Sequence, residues 1–104
     1  MAFHGAIMID AKDNIAVCLE DFQRGAEINV RCGEEIFIVT AIEDIPFGFK
    51  IALIDILAGQ QVLKYGESIG IASELISMGQ LVHVHNIEGE KGRGDLVEKT
   101  TAAK

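Results

Sequence analysis

A chain of 104 residues has room for one domain around one hydrophobic core and not for a second. With 49% apolar and 24% charged residues, its composition lies far from that of disordered proteins. Sixteen acids against nine bases give a net charge of −7, which repels phosphate backbones and anionic lipid and argues against nucleic acid or a membrane as partner.

Along the chain, residues 14–20 alternate Ile15, Val17 and Leu19 with Ala16 and Cys18, the pattern of a strand whose second face is also mostly buried. Residues 21–27 turn at Gly25. Residues 27–30 and 34–40 repeat the strand pattern on either side of Cys32-Gly33, and β-branched Ile36, Ile38, Val39 and Thr40 favour extended backbone. Pro46 and Gly48 break that run. Residues 50–55, 61–65 and 80–85 read as three more short strands, separated by Gly59, Gly66, Gly70 and Gly79. Residues 71–78 read as a helix of about two turns. The expectation is therefore a mostly-β domain of short strands with one short helix.

A small echo runs through this pattern: Phe22…Gly25…Ile28, Ile56…Gly59…Val62 and Ile76…Gly79…Val82. Each glycine would supply a positive-φ turn between a tucked residue and the first inward residue of the next strand. The copies are unevenly spaced, so the echo is recurring turn chemistry and not a solenoid. Residues 88–104 carry Leu96 and Val97 as their only apolar anchors and read as a polar tail or linker after a domain at 1–87. Arg93-Gly94-Asp95 within it reads as a chance match to an adhesion tripeptide. Cys18 and Cys32 lie in apolar runs without metal spacing and read as free thiols of a reducing cytosol. Met1-Ala2-Phe3-His4-Gly5 lacks the basic and apolar parts of a secretory signal, so the cytoplasm is the expected location, and His4 is assigned no role.

Four ordered blocks carry a resemblance. They are Phe47-Gly48-Phe49-Lys50-Ile51-Ala52-Leu53, Val62-Leu63-Lys64-Tyr65-Gly66, Ile69-Gly70-Ile71-Ala72 and Val82-His83-Val84-His85-Asn86. With Asp13-Asn14-Ile15-Ala16-Val17 as an opening, residues 10–87 resemble the SAF-type domain of the altronate/galactarate dehydratase family. The resemblance implies a β-clip (SAF-type) fold and a place among lyases that remove water from sugar acids. It also implies a larger catalytic chain as partner, since the long family members carry a catalytic region after this domain. A related sulfolactate sulfo-lyase is similar and has a small subunit of about this size. Where the family has Gly-His-Lys, this chain has Gly48-Phe49-Lys50, so a phenyl ring replaces an imidazole that could donate, accept or ligate.

The resemblance marks Lys50, Lys64, Tyr65, His83, His85 and Asn86 as substrate-binding candidates, and each has a plainer reading. Dehydration next to a carboxylate needs a base and a cationic or metal clamp for the developing enediolate. His83 and His85, two apart on an expected strand, would share one face about 7 Å apart and could line a cleft or join a metal site, though two ligands leave such a site incomplete. A divalent metal, iron or manganese, would then be shared with the partner chain. Lys50 and Lys64 are either solvated surface charges or the local positive charge a sugar-acid carboxylate needs near a −7 chain. Tyr65 either packs at a rim or moves a proton, and Asn86 either binds substrate or caps a turn. The functional readings are a lyase component that is inactive alone, a non-catalytic sugar-acid-binding module, and a structural homo-oligomer.

Overall fold

Short β-branched runs interrupted by glycine turns fold into nine strands over residues 3–89, the part of the computed structural model that is described. These are β1 (Ala6–Ile7), β2 (Ile15–Cys18), β3 (Glu27–Cys32), β4 (Glu35–Thr40), β5 (Lys50–Ala52), β6 (Gln61–Lys64), β7 (Glu67–Ala72), β8 (Leu81–Val82) and β9 (Ile87–Glu88). Six form one sheet in the order β4-β3-β1-β2-β5-β8, and three form a second in the order β6-β7-β9. β1 runs parallel to β3 and antiparallel to β2, and the other pairs are antiparallel. The mostly-β expectation holds.

Alternation on the larger sheet divides the interior in two. Ala16, Cys18, Ile28, Val30, Ile45 and Ile51 build a first core, against which Phe49 and Leu81 pack. Ile15, Ala52, Ile56, Val62, Ile76 and Val82 build a second, where the small sheet packs. Asn14 fastens the sheets together. Its Nδ2 donates to the Gln61 carbonyl at 2.9 Å, and its Oδ1 accepts from the Leu63 amide at 2.7 Å.

The echo is structural and has a fourth copy, Ile45…Gly48…Ile51. The four glycines Gly25, Gly48, Gly59 and Gly79 have φ of 90, 86, 91 and 88°. The copies pair two by two: Phe22 exchanges backbone hydrogen bonds with Ile45, and Ile56 with Ile76. The residue before each tucked position caps its mate's turn. Asp21 Oδ1 accepts from the Phe47 amide, Asp44 Oδ1 from the Arg24 amide and Asp55 Oδ1 from the Met78 amide, at 2.8 to 2.9 Å. The fourth such position is Leu75, whose side chain has no acceptor to offer the corresponding Ala58 amide; in that turn and in its mate a glutamine takes the preceding amide, Leu57 to Gln60 Oε1 and Ser77 to Gln80 Oε1.

No helix forms among the described residues, so none is long and apolar enough to cross a membrane. The helix expected at 71–78 is corrected. Ile71 and Ala72 end β7, and Ile76 is held extended by two hydrogen bonds to Ile56, of 2.7 and 2.8 Å. Leu75 and Met78, which with Ile71 would share one face of such a helix, are 53% and 47% exposed. A Cβ on Gly79 would collide with the Thr40 carbonyl, so the turn there is fixed by tertiary contact as well as by its positive φ. The strand expected over 80–85 shrinks to β8, while β1, β7 and β9 were not anticipated. β9 spans the expected boundary at 87/88, and residues 90–104, with Arg93-Gly94-Asp95, lie outside the described residues.

Candidate anion site

The β6–β7 hairpin turns on two residues, Tyr65 and Gly66, with Lys64 opposite Glu67. Their φ values of 59° and 75° are both left-handed, as a tight two-residue hairpin requires. Tyr65 is the only non-glycine residue with positive φ among those described, and an L-residue pays about 1–2 kcal/mol there. The Asp13 carboxylate offsets that cost. It accepts from the amides of Tyr65 (3.0 Å) and Gly66 (2.8 Å), and from Asp10 in its own loop (3.1 Å). Asp13 is only 6% exposed, so these charge-assisted bonds are largely shielded from water. Sequence reasoning missed this role. Its signal was an acid beside Asn14, in a segment read only as a strand opening.

With its backbone held, Tyr65 projects its ring outward at 58% exposure, and Lys64 Nζ sits 4.9 Å from the ring centroid. Lys50 comes from the other sheet. It lies opposite Val82 and Val17, hence on the face that carries the second core. Its pKa is held below the ordinary 10.5, first by partial burial of the ammonium and second by the charge on Lys64. Neither lysine forms an ion pair with any described residue, in a chain with sixteen acids. Lys64 thus lies over the Tyr65 ring and close enough to Lys50 for the two charges to repel, and no described carboxylate forms an ion pair with either.

The other predicted residues are placed differently. His83 stacks on Phe49, with ring centroids 4.7 Å apart and planes tilted by 60°, on the side of the first core. It and His85 lie in a turn, not on a strand, so the expected shared strand face does not form. His85 is exposed. Among the described residues no three His, Cys, Asp or Glu side chains converge to hold a metal ion. Asn86 is fully buried: its Oδ1 accepts from the His83 amide at 3.0 Å and its Nδ2 donates to the Leu81 carbonyl at 2.8 Å. It caps the turn and ends β8, with no atom turned to an opening. A shallow depression of about 230 Å³ lies elsewhere, between the first two turn copies, and its carboxylates Asp21 and Asp44 are already taken by backbone amides.

Comparison with known proteins supplies context. The sequence profile described as the altronate/galactarate dehydratase SAF domain matches residues 4–90. The chain is 44% identical over 80 residues to the altronate dehydratase of Escherichia coli (strain K12), which covers 77% of the chain and 15% of that protein. It is 40% identical over 80 residues to the altronate dehydratase of Bacillus subtilis (strain 168), with the same coverage. A further relative is the (2R)-sulfolactate sulfo-lyase subunit alpha of Paracoccus pantotrophus, 42% identical over 55 residues, which are 53% of the chain and 82% of the subunit. The chain therefore spans only 15% of the length of the altronate dehydratases it matches.

Proposed function

Because the chain belongs to the altronate/galactarate dehydratase SAF domain family, we propose that it is the small component of a hydro-lyase acting on a sugar acid such as altronate or galactarate. It works with a larger catalytic chain, in the cytoplasm, and is inactive alone. The observation that carries this reading is the pair of ammonium groups of Lys50 and Lys64, drawn from separate sheets, within electrostatic reach of each other and in no ion pair with a described residue, with Lys64 over the Tyr65 ring.

Such a cluster accepts a carboxylate. An anion between the two ammoniums replaces their mutual repulsion with attraction, and partial burial of Lys50 strengthens that attraction over its value in water. Tyr65, held by Asp13, offers a hydroxyl to the same anion or to a neighbouring sugar hydroxyl. Orientation of the acid is thus this chain's task. The base that removes the proton next to the carboxylate, and the ligands of any iron or manganese ion, belong to the catalytic chain. The SAF domain of this arrangement runs through β9, whose Glu88 pairs with Ile71, past the expected 87/88 boundary. His83, His85 and Asn86 drop out of the binding set on this reading: His83 packs on Phe49, Asn86 is spent on its turn, and His85 lies on a different turn from Tyr65.

A second reading is favoured by the 82% coverage of a sulfo-lyase subunit: this chain as the alpha-type subunit of a lyase acting on a sulfonated hydroxy acid. A third is a sugar-acid-binding module without turnover, to which Phe49 in place of the family's imidazole points. One reconstitution separates them. The chain is mixed with the large chain encoded beside its gene, and formation of a 2-keto-3-deoxy acid from altronate or galactarate is followed alongside sulfite release from sulfolactate. The proposal expects the deoxy acid only when both chains are present. Sulfite alone supports the second reading, saturable sugar-acid binding without product supports the third, and silence in every arm contradicts all three.

A further inference from the structure

The edges of the two sheets are treated unequally. β8, one edge of the large sheet, is two residues long, and side chains close it: Glu43 Oε2 accepts from the Leu81 amide and Asn86 Nδ2 donates to the Leu81 carbonyl. β6, an edge of the small sheet, is taken up by Asn14. β9 has only two residues. These are the usual devices that stop a sheet from recruiting another strand.

β4 has none of them. It is the other edge of the large sheet, six residues long, and paired with β3 in unbroken register from Glu27–Thr40 to Cys32–Glu35. It contains no proline, lysine, arginine or bulge, and among the described residues no side chain hydrogen-bonds to its backbone. Three consecutive large apolar residues lie open on it: Ile36 at 57%, Phe37 at 40% and Ile38 at 58% exposure. A long, flat, apolar edge with unpaired backbone groups is a template for a further strand.

We propose that the strand which covers β4 is β4 of a second copy, antiparallel, about a two-fold axis perpendicular to the sheet. Self-complementarity of β4 in one orientation argues for this occupant, and charge sets the orientation. The acids of the segment, Glu34 and Glu35, both stand at its start, and residues 36–41 are uncharged. With Phe37 opposite its own counterpart, Ile36 of each copy meets Ile38 of the other, and Glu35 and Glu34 meet Val39 and Thr40. No acid faces an acid. A parallel pairing would set each glutamate against its own copy, which is destabilising. Opposite residues in an antiparallel pair share a face, so the four exposed isoleucines join into one apolar strip on the outer face, and a single isologous contact closes the assembly.

The test uses the full chain and a pair of charge variants. Wild type, measured by light scattering over a dilution series, should have twice the mass of the chain. Ile36→Lys/Ile38→Lys and Ile36→Glu/Ile38→Glu should each run as folded monomers by circular dichroism, because the register sets like charges opposite. An equimolar mixture of the two should recover the doubled mass, because each lysine then meets a glutamate. The β4 amides that are not bonded to β3 should exchange slowly with deuterium in the dimer and fast in either variant alone. A wild type of single-chain mass throughout overturns the proposal, as does a dimer that survives both variants, or failure of the mixture to recover. Protection of β4 only after addition of the catalytic chain also overturns it, in favour of a strand from that partner.

Discussion

Replacing Asp13 with alanine removes one carboxylate and orphans three backbone amides, those of Asp10, Tyr65 and Gly66. A hydrogen bond to a charged group contributes about 1.5–3 kcal/mol net when buried. The three share one acceptor, and the Tyr65-Gly66 turn is near enough to solvent for water to serve part of the loss, so the sum is not reached. We expect Asp13→Ala to cost about 2–4 kcal/mol, with the left-handed Tyr65 relaxing as its restraint goes. Asp13→Asn keeps one acceptor oxygen but turns an amide group toward the remaining N–H donors, and should cost about half as much. Urea denaturation followed by circular dichroism measures both, with the change in midpoint converted at constant m. Sugar-acid binding should fall in both variants even under conditions where the fold is intact, because Tyr65 loses its fixed direction. An Asp13→Ala protein within about 0.5 kcal/mol of wild type would refute the claim that this carboxylate holds the turn.

Other outcomes follow from the same geometry. Tyr65→Asn, which suits a left-handed turn, should stabilise the fold by about 0.5–1 kcal/mol while weakening sugar-acid binding, a divergence readable by thermal melting beside calorimetric titration. Lys50→Met should leave stability unchanged or higher, since it removes a half-buried charge beside Lys64, yet lower affinity for galactarate about tenfold or more. Anion binding stabilises the charged form of Lys50 and raises its pKa, so affinity should decline, with proton uptake on binding, as pH climbs through that residue's lowered pKa, before the ordinary 10.5 is reached. Cys18, its pKa pushed up to about 12 by burial, should resist a thiol reagent at pH 8 in the native protein and react in denaturant. The stability gained from keeping it protonated is whole below pH 9.0 and is lost as pH rises toward 12. Asp21→Ala, Asp44→Ala and Asp55→Ala should each cost about 1 kcal/mol by loss of a cross-cap.

Much of the fold was legible because its signals are local. Alternation at Ile15, Val17 and in residues 34–40, and the glycines of the echo, identify strands and turns with no knowledge of what packs on them. The fourth echo was hidden because Pro46 and Phe47 look like a plain break, when Ile45 and Ile51 occupy the same places as the tucked and inward residues elsewhere. The supposed helix failed for a tertiary reason: the spacing of Ile71, Leu75 and Met78 is helical, but a bridge to Ile56, twenty residues away in sequence, decides the backbone. At the candidate site, family resemblance picked out Lys50, Lys64 and Tyr65; in the fold Lys64 lies over the Tyr65 ring and acts on the charge of Lys50. It could not separate them from Asn86, since capping and binding use the same donors and acceptors, and only burial and partners tell them apart. Asp13 was invisible for a related reason: its three bonds include two to residues more than fifty positions away.

The most direct measurement is a titration of the isotope-labelled chain with galactarate, followed by nuclear magnetic resonance at the lysine ammonium groups and backbone amides. Saturable shifts are expected at Lys50 Nζ, Lys64 Nζ and the Tyr65 and Gly66 amides, with the Phe49–His83 side left unchanged. Shifts confined to His83 and His85, or none at Lys50 and Lys64 up to saturating sugar acid, would contradict the proposed site.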